Sequence, residues 1–175
     1  RPIDIVSVIE TIVDDHADEG HAVSLSGAGH GRVLGRLLAL KRAFWNVVGN
    51  AVKYGSHVTV MVDETPAGFA ITVEDDGPGI PDGDMERVFQ PFVRLEESRG
   101  RETGGSGLGL TIARAVVLAH GGEIALANRP EGGLRVTITL PRLAQPEQQL
   151  AQVIADDPVL PHGPTVPTAS HPAST

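Results

Sequence analysis

Asn46, Asn50 and Lys53 stand at i, i+4 and i+7 in the stretch LKRAFWNVVGNAVKYG, Leu40–Gly55. On a helix turning about 100° per residue these three side chains stack in one stripe. Leu37, Leu40, Phe44, Val47, Val48 and Ala51 form a broad apolar stripe on another side, the pattern of a helix packed on a core. The small residues Ala39, Ala43 and Gly49 flank the polar stripe and leave room above it. Two amides and one ammonium facing open space suit oxygen ligands: a hydrated cation, phosphates, or both. A solvated outer face would present the same stripe. Asparagine, however, is a mediocre mid-helix residue because its amide competes for backbone hydrogen bonds, so a pair at i, i+4 asks for a reason.

Two glycine-rich loops add to this. Asp75-Asp76-Gly77-Pro78-Gly79-Ile80-Pro81 leaves a strand and forces a tight turn with close backbone approach. An acidic side chain at its base can accept hydrogen bonds from a ligand amino group in a largely apolar pocket, although an isolated DGPG turn is ordinary punctuation. Gly104-Gly105-Ser106-Gly107-Leu108-Gly109-Leu110 precedes a helix whose Leu108, Ile112, Ala115, Val116 and Ala119 are expected to face the core. Glycines there bare backbone N–H groups at the positive end of the helix dipole, which suits phosphate oxygens. Other phosphate motifs fail. No GxxxxGK[ST] is present, and Gly27-Ala28-Gly29-His30-Gly31 is followed by Arg32, where a dinucleotide fingerprint needs Gly or Ala.

The elements that position these residues read as follows. A helix over about 5–18 precedes a short strand, Ala22–Ser26, a glycine-rich turn and an extended piece near Val33. The long helix follows and ends at Tyr54, with Gly55 as its cap. Alternating strands His57–Asp63 and Phe69–Glu74 make a hairpin, and residues 83–105 are polar and without a sustained period. A third helix runs from about Ser106 to His120, before strands Glu123–Ala127 and Leu134–Leu140 joined through Gly132-Gly133. This order predicts an α/β two-layer sandwich: a mixed, mostly antiparallel sheet covered on one face by about three helices. Residues 1–143 are expected to form the domain, and 144–175, rich in Pro, Gln, Ala, Ser and Thr, a mostly disordered tail.

Composition narrows the function. The chain has 175 residues with 22 acidic against 14 basic, so a general nucleic-acid surface is not expected. Hydrophobic content of 41% is that of a soluble globule. No apolar run approaches the roughly 20 residues that span a bilayer. The absence of cysteine rules out a disulfide framework, a thiolate metal site and a cysteine nucleophile. The chain does not begin with Met, as expected of a piece of something larger.

Taken together, the blocks resemble the catalytic, ATP-binding domain of bacterial sensor histidine kinases, in the superfamily shared with DNA gyrase and the mismatch-repair ATPases. NVVGNAVKYG is similar to the family's asparagine box, VEDDGPGIP to its first glycine box, VFQPFVR to its phenylalanine box, and GGSGLGLTIARAVVLAHGG to its second glycine box. Order and spacing match over about residues 1–141. LKRAFWNVVGNAVKYG and VFQPFVR look most like the osmosensor-type kinases that phosphorylate winged-helix response regulators.

The resemblance implies a Bergerat-type fold and the ligands ATP and Mg2+. Asn50 would coordinate the magnesium, with Asn46 close to it, Lys53 on phosphate and Tyr54 along the nucleotide. Asp75 would bind the adenine amino group in a pocket shaped by Gly77, Gly79 and Ile80. Phe89 and Phe92 would anchor a mobile lid over about 83–105. Arg94, Arg99 or Arg101 would reach the γ-phosphate, the last two reading equally as solvated lid charges. Gly105, Ser106, Gly107, Leu108, Gly109 and Leu110 would hold the phosphate chain. Hydrolysing members usually have Glu where this chain has Asn46. A neutral amide cannot take a proton from water, so transfer of the γ-phosphoryl group by positioning and electrostatics is expected rather than efficient hydrolysis.

The implied partners are the dimerisation domain of the same kinase, carrying the acceptor histidine, and a response regulator. The parent would be a homodimer anchored in the bacterial inner membrane, with this domain on the cytoplasmic side and making no membrane contact itself. None of His16, His21, His30, His57, His120, His162 and His171 has the acceptor's sequence context. A nucleotide-binding module that has lost transfer and an anti-sigma-type serine kinase of the same fold are the rival readings.

Overall fold

Strand alternation decides which side of the sheet is buried. In the computed structural model, which describes residues 1–27, 29–93 and 108–143, the strands are β1 (Pro2–Asp4), β2 (Ala22–Gly27), β3 (Arg32–Leu34), β4 (His57–Glu64), β5 (Gly68–Asp75), β6 (Glu123–Asn128) and β7 (Leu134–Pro141). Five of them form one sheet in the order β2-β4-β5-β7-β6, with β2 and β4 parallel and the other pairs antiparallel. The register places Val60 opposite Val73, and Ile71 opposite Ile138. Val58, Val60 and Val62 of β4, Phe69, Ile71 and Val73 of β5, and Val136, Ile138 and Leu140 of β7 are all buried on one face. The intervening Thr59, Thr72 and Thr137 are not. That alternation is the mark of a sheet covered on one side. A separate pair, β1 with β3, was not foreseen as a sheet: β1 is three residues long, too short to show a period.

Three helices bear on the buried face: α1 (Ile5–Asp18), α2 (Leu37–Tyr54) and α3 (Gly109–Ala119). Asp4 caps α1 by accepting the Val6 N–H at 3.1 Å, and the same oxygen accepts the Gly31 N–H at 3.0 Å. Among the described residues no helix is long and apolar enough to cross a membrane.

Three expectations for the helices need correction. The core stripe of α2 is Leu40, Ala43, Phe44, Val47, Val48 and Ala51. Leu37 is 52% exposed, because the first turn of α2 runs past what its neighbours cover, and Ala43 lies inside the core rather than beside an open space. Gly55 caps α2 as expected, with extended backbone (φ −108°). Glycine is needed there because a Cβ would come within 2.8 Å of the Asp75 Cβ. On α3 the buried residues are Ala113 and Val117, whereas Ala115 and Ala119 are exposed. An almost uniformly apolar helix has no polar side to orient it, so periodicity alone placed its face wrongly.

The core rests on large, fully covered side chains, Phe44 foremost. Phe44→Ala is expected to cost about 3–5 kcal/mol. Leu38→Ala on the same helix, at a side chain 81% exposed, is expected to stay within about 0.5 kcal/mol. Urea unfolding of the two variants checks the pair, and similar losses would show that α2 packs by a different face.

Candidate functional site

The stripe of α2 opposite its core face overlooks a cavity of about 380 Å³. Asn46, Asn50, Lys53 and Tyr54 line one wall, and Asp75, Gly79 and Ile80 line another. Leu108, Gly109 and Leu110 at the start of α3 form a third. The sequence stripe and parts of both glycine loops, far apart along the chain, therefore share one space. Val47, Ala51, Val88, Leu134 and Val136 make much of the remaining surface apolar.

Asp75 is the buried carboxylate of this cavity, 5% exposed. One of its oxygens, Oδ1, accepts the Gly77 N–H at 2.8 Å and the Leu134 N–H at 3.4 Å. Among the described residues these are its recorded side-chain bonds, and they leave Oδ2 for a donor in the cavity. Burial pushes the Asp75 carboxyl above the usual carboxylate range, and the negative charge of Asp76 acts in the same direction. The two amides and Arg129 oppose the shift.

Its neighbour has the opposite character. Asp76 is held down to about 2, chiefly by the His57 backbone N–H, with further hydrogen bonds from the His57 ring and the Ser56 N–H. Its Oδ1 accepts the Ser56 and His57 amides at 2.6 and 3.0 Å. Asp76 thus ties the turn after α2 to the loop after β5, while Asp75 faces the ligand space. One carboxylate organises the backbone and the other borders the cavity.

The loop after Asp75 is held by residues that sequence reasoning missed. The Asn128 amide grips Ile80 from both sides: its Oδ1 accepts the Ile80 N–H at 2.8 Å, and its Nδ2 donates to the Ile80 carbonyl at 2.6 Å. Arg129 donates to the Asp75 carbonyl at 2.8 Å. Gly133 has φ +95°, and a Cβ there would overlap that carbonyl oxygen. Arg42 also lines the cavity. It lies four residues before Asn46 on the same stripe, a spacing that could have shown it.

Gly109, at the start of α3, lies against α2: a Cβ there would be in ordinary contact, 3.6 Å from the Asn46 Cβ and 3.9 Å from the Asn50 Nδ2. Among the described residues the α3 N-terminus has no side-chain cap, and the buried Asn46 Nδ2 has no hydrogen-bond partner. Uncapped helix N–H groups and an orphaned amide donor beside a lysine suit an anion such as a phosphate. Lys53 Nζ lies 5.1 Å from the centre of the Tyr54 ring.

Of the two phenylalanines expected to anchor a lid, Phe89 is buried, with its carbonyl accepting the Thr111 hydroxyl at 2.7 Å and the Arg114 guanidinium 4.6 Å above its ring. Phe92 is 73% exposed with φ 63°, and among the described residues it joins neither apolar cluster. Arg94, Arg99, Arg101, Gly105, Ser106 and Gly107 lie outside the described residues, as does most of the stretch read as a lid.

Residues 35–144 match the model of the histidine kinase-, DNA gyrase B- and HSP90-like ATPase family. The chain belongs to this family. It is 40% identical over 141 residues to the sensor histidine kinase GtrS of Pseudomonas aeruginosa, covering 81% of this chain and 29% of that protein. Among solved structures it is similar to the ATP-binding domain of PrrB from Mycobacterium tuberculosis (TM-score 0.68, 29% identity, 82% of this chain and 98% of that one). It is also similar to the histidine kinase domain of the E. coli osmosensor EnvZ (TM-score 0.65, 31% identity, 83% of this chain and 90% of that one). The chain thus spans less than a third of the length of GtrS but nearly all of these separate domains. Membership makes it an ATP-binding catalytic domain of the α/β histidine kinase fold.

The raised Asp75 carries a sign that can be checked. A carboxyl whose native pKa lies above its unfolded value of about 3.9 favours the fold fully at lower pH. That contribution is lost as pH rises through the native value. Asp75→Asn keeps an oxygen for the Gly77 and Leu134 amides and removes the titration. The melting temperature of the nucleotide-free variant, relative to the parent, is therefore expected to climb with pH above about 4 and then level off. A difference that stays constant with pH would show that Asp75 is not desolvated.

Proposed function

We propose that the chain is the catalytic, ATP-binding domain of a bacterial sensor histidine kinase. It binds ATP with Mg2+ in this cavity and presents the γ-phosphoryl group to a histidine on the dimerisation domain of the same kinase. The phosphoryl group then passes to an aspartate of a response regulator, of the winged-helix type. The parent is a homodimer anchored in the bacterial inner membrane, and residues 1–143 are the catalytic domain. The observation that carries this reading is the cavity's lining: a buried carboxylate, a set of apolar side chains, and the start of α3, uncapped among the described residues and set against two asparagines of α2. The carboxylate suits a base bearing an amino group, and the helix start a chain of phosphates.

In this reading Asp75 accepts a hydrogen bond from the adenine amino group, while Ile80, Leu134 and Val136 enclose the base. The α3 N–H groups and Lys53 hold the phosphates, and the Asn46 amide, orphaned within the protein, donates to them. The Asn50 amide oxygen is a hard ligand suited to magnesium, which is commonly held by few protein groups together with substrate phosphates and water. Bound there, the ion would neutralise charge that builds up between the β- and γ-phosphates. Transfer forms a bond from the acceptor imidazole nitrogen to the γ-phosphorus and breaks the bond to the β-bridging oxygen, releasing ADP. This chain contributes position and electrostatics to that step. With an amide at Asn46 in place of a carboxylate, the site has no base there to activate water. The similarity to sensor histidine kinases supports the same conclusion.

Mixing the domain with the separately expressed dimerisation segment of its parent and γ-labelled ATP tests the reading. Label on a histidine of that segment, labile in acid and stable in base, is expected. Acid-stable label on serine, or ATP consumed with no label at all, would overturn it. In calorimetry, Asn50→Ala is expected to remove the gain in ATP affinity that Mg2+ brings, leaving the affinity measured with a chelator within about twofold; a retained gain would place the ion elsewhere. Truncation after Leu143 is expected to leave both ATP affinity and melting temperature unchanged, and a clear loss of either would move the domain boundary.

A further inference from the structure

None of His16, Glu19 and His21 lines the ATP cavity, and nothing in the proposed reaction uses them. They meet where α1 ends and the chain turns toward β2. Their potential ligand atoms all lie within 4.8 Å of one another. His16 Nδ1 is 3.7 Å from Glu19 Oε2, and His21 Nε2 is 3.9 Å from the same oxygen. In a tetrahedral site with metal–ligand distances of about 2.0–2.2 Å, the ligands stand roughly 3.3–3.6 Å apart, so these two separations are only a few tenths of an ångström too wide.

The independent sign is His16 itself. It is 4% exposed, and both of its buried ring nitrogens have no hydrogen-bond partner among the described residues. Buried polar atoms are nearly always paired, and an imidazole left with neither nitrogen satisfied calls for an explanation. A metal bond would satisfy one of them.

The surrounding charge favours a cation as well. Asp14, Asp15, Asp18 and Glu19 crowd the C-terminal end of α1, where the helix dipole is already negative and acidic residues are the wrong sign. A bound cation would offset both. Two imidazoles and one carboxylate suit zinc, nickel or copper and are poorly matched to magnesium.

We propose that His16, Glu19 and His21 form a binding site for one divalent transition-metal ion of the zinc class, with water completing its coordination. The site is linked to α2 by a direct contact. The His16 ring stacks on Trp45 at 4.3 Å between centroids, and Trp45 immediately precedes Asn46 of the ATP cavity.

Trp45 is the only tryptophan of the chain, so the stack supplies its own reporter. Zinc chloride titrated into the untagged, nucleotide-free domain is expected to change Trp45 fluorescence saturably, at one equivalent, with reversal by chelator. Glu19→Gln and His21→Ala alter exposed side chains and spare the buried His16. Each is expected to weaken zinc binding at least about tenfold, whereas His30→Ala, at an exposed histidine elsewhere, leaves it unchanged. Magnesium chloride is expected to give no response. An absent zinc response, or equal affinity in the parent and both variants, would overturn the proposal. Because no ATP is present, this outcome is independent of the kinase reading.

Discussion

The site depends on a carboxylate occupying a position that the sheet reserves for apolar side chains. Along β5 the inward residues are Phe69, Ile71, Val73 and then Asp75. The alternation that builds the core thus delivers a charged group to the end of the same buried row. Desolvating that group is unfavourable, as the upward push on its pKa shows. The fold compensates only in part: two backbone amides reach one oxygen, and Arg129 holds the carbonyl of the same residue. The unpaired remainder leaves Asp75 with an acceptor oxygen bordering the cavity.

The loop that follows has to be rigid for that acceptor to be useful. Asp76 closes it onto the end of α2, and Asn128 clamps Ile80 with both halves of its amide. Gly55 and Gly133 allow the neighbouring backbones to come close enough. On the far side of the cavity, α2 serves two purposes along its 18 residues: Phe44, Val47 and Val48 secure it to the sheet, while Arg42, Asn46, Asn50 and Lys53 look into the ligand space. Packing on one face sets the position of the polar groups on the other. A helix held this firmly can present its amides without reorganising when the ligand arrives.

Much of this arrangement was legible before any coordinates. Period-2 alternation in β4, β5 and β7 marks the half-buried strands, and the turn glycines bound them. Asparagines at i, i+4 on an otherwise good helix, together with the glycine loop after β5, mark the lining of the cavity, whereas most of the glycine loop before α3 lies outside the described residues. The misses share a physical origin. Asn128 and Arg129 act on residues 48 and 54 positions earlier, and a single amide or guanidinium at the end of a strand carries no local pattern. Asp76 reads as turn punctuation until its two amide partners are brought to it. Helix α3 offers no polar side by which to orient it. His16 falls on the apolar stripe of α1, and its approach to Glu19 and His21 depends on how the chain turns after the helix.

The central claim is that Asp75 recognises the amino group of a purine in this cavity. Inosine triphosphate tests it most directly, because it keeps the phosphates and sugar of ATP but carries a carbonyl oxygen where adenine carries that amino group. A carboxylate facing a carbonyl loses a hydrogen bond and gains a repulsion. Calorimetry in the presence of magnesium is expected to show ATP binding at least about tenfold tighter than inosine triphosphate, roughly 1.4 kcal/mol or more. Equal affinities would contradict the account, since the base would then be held by something other than Asp75.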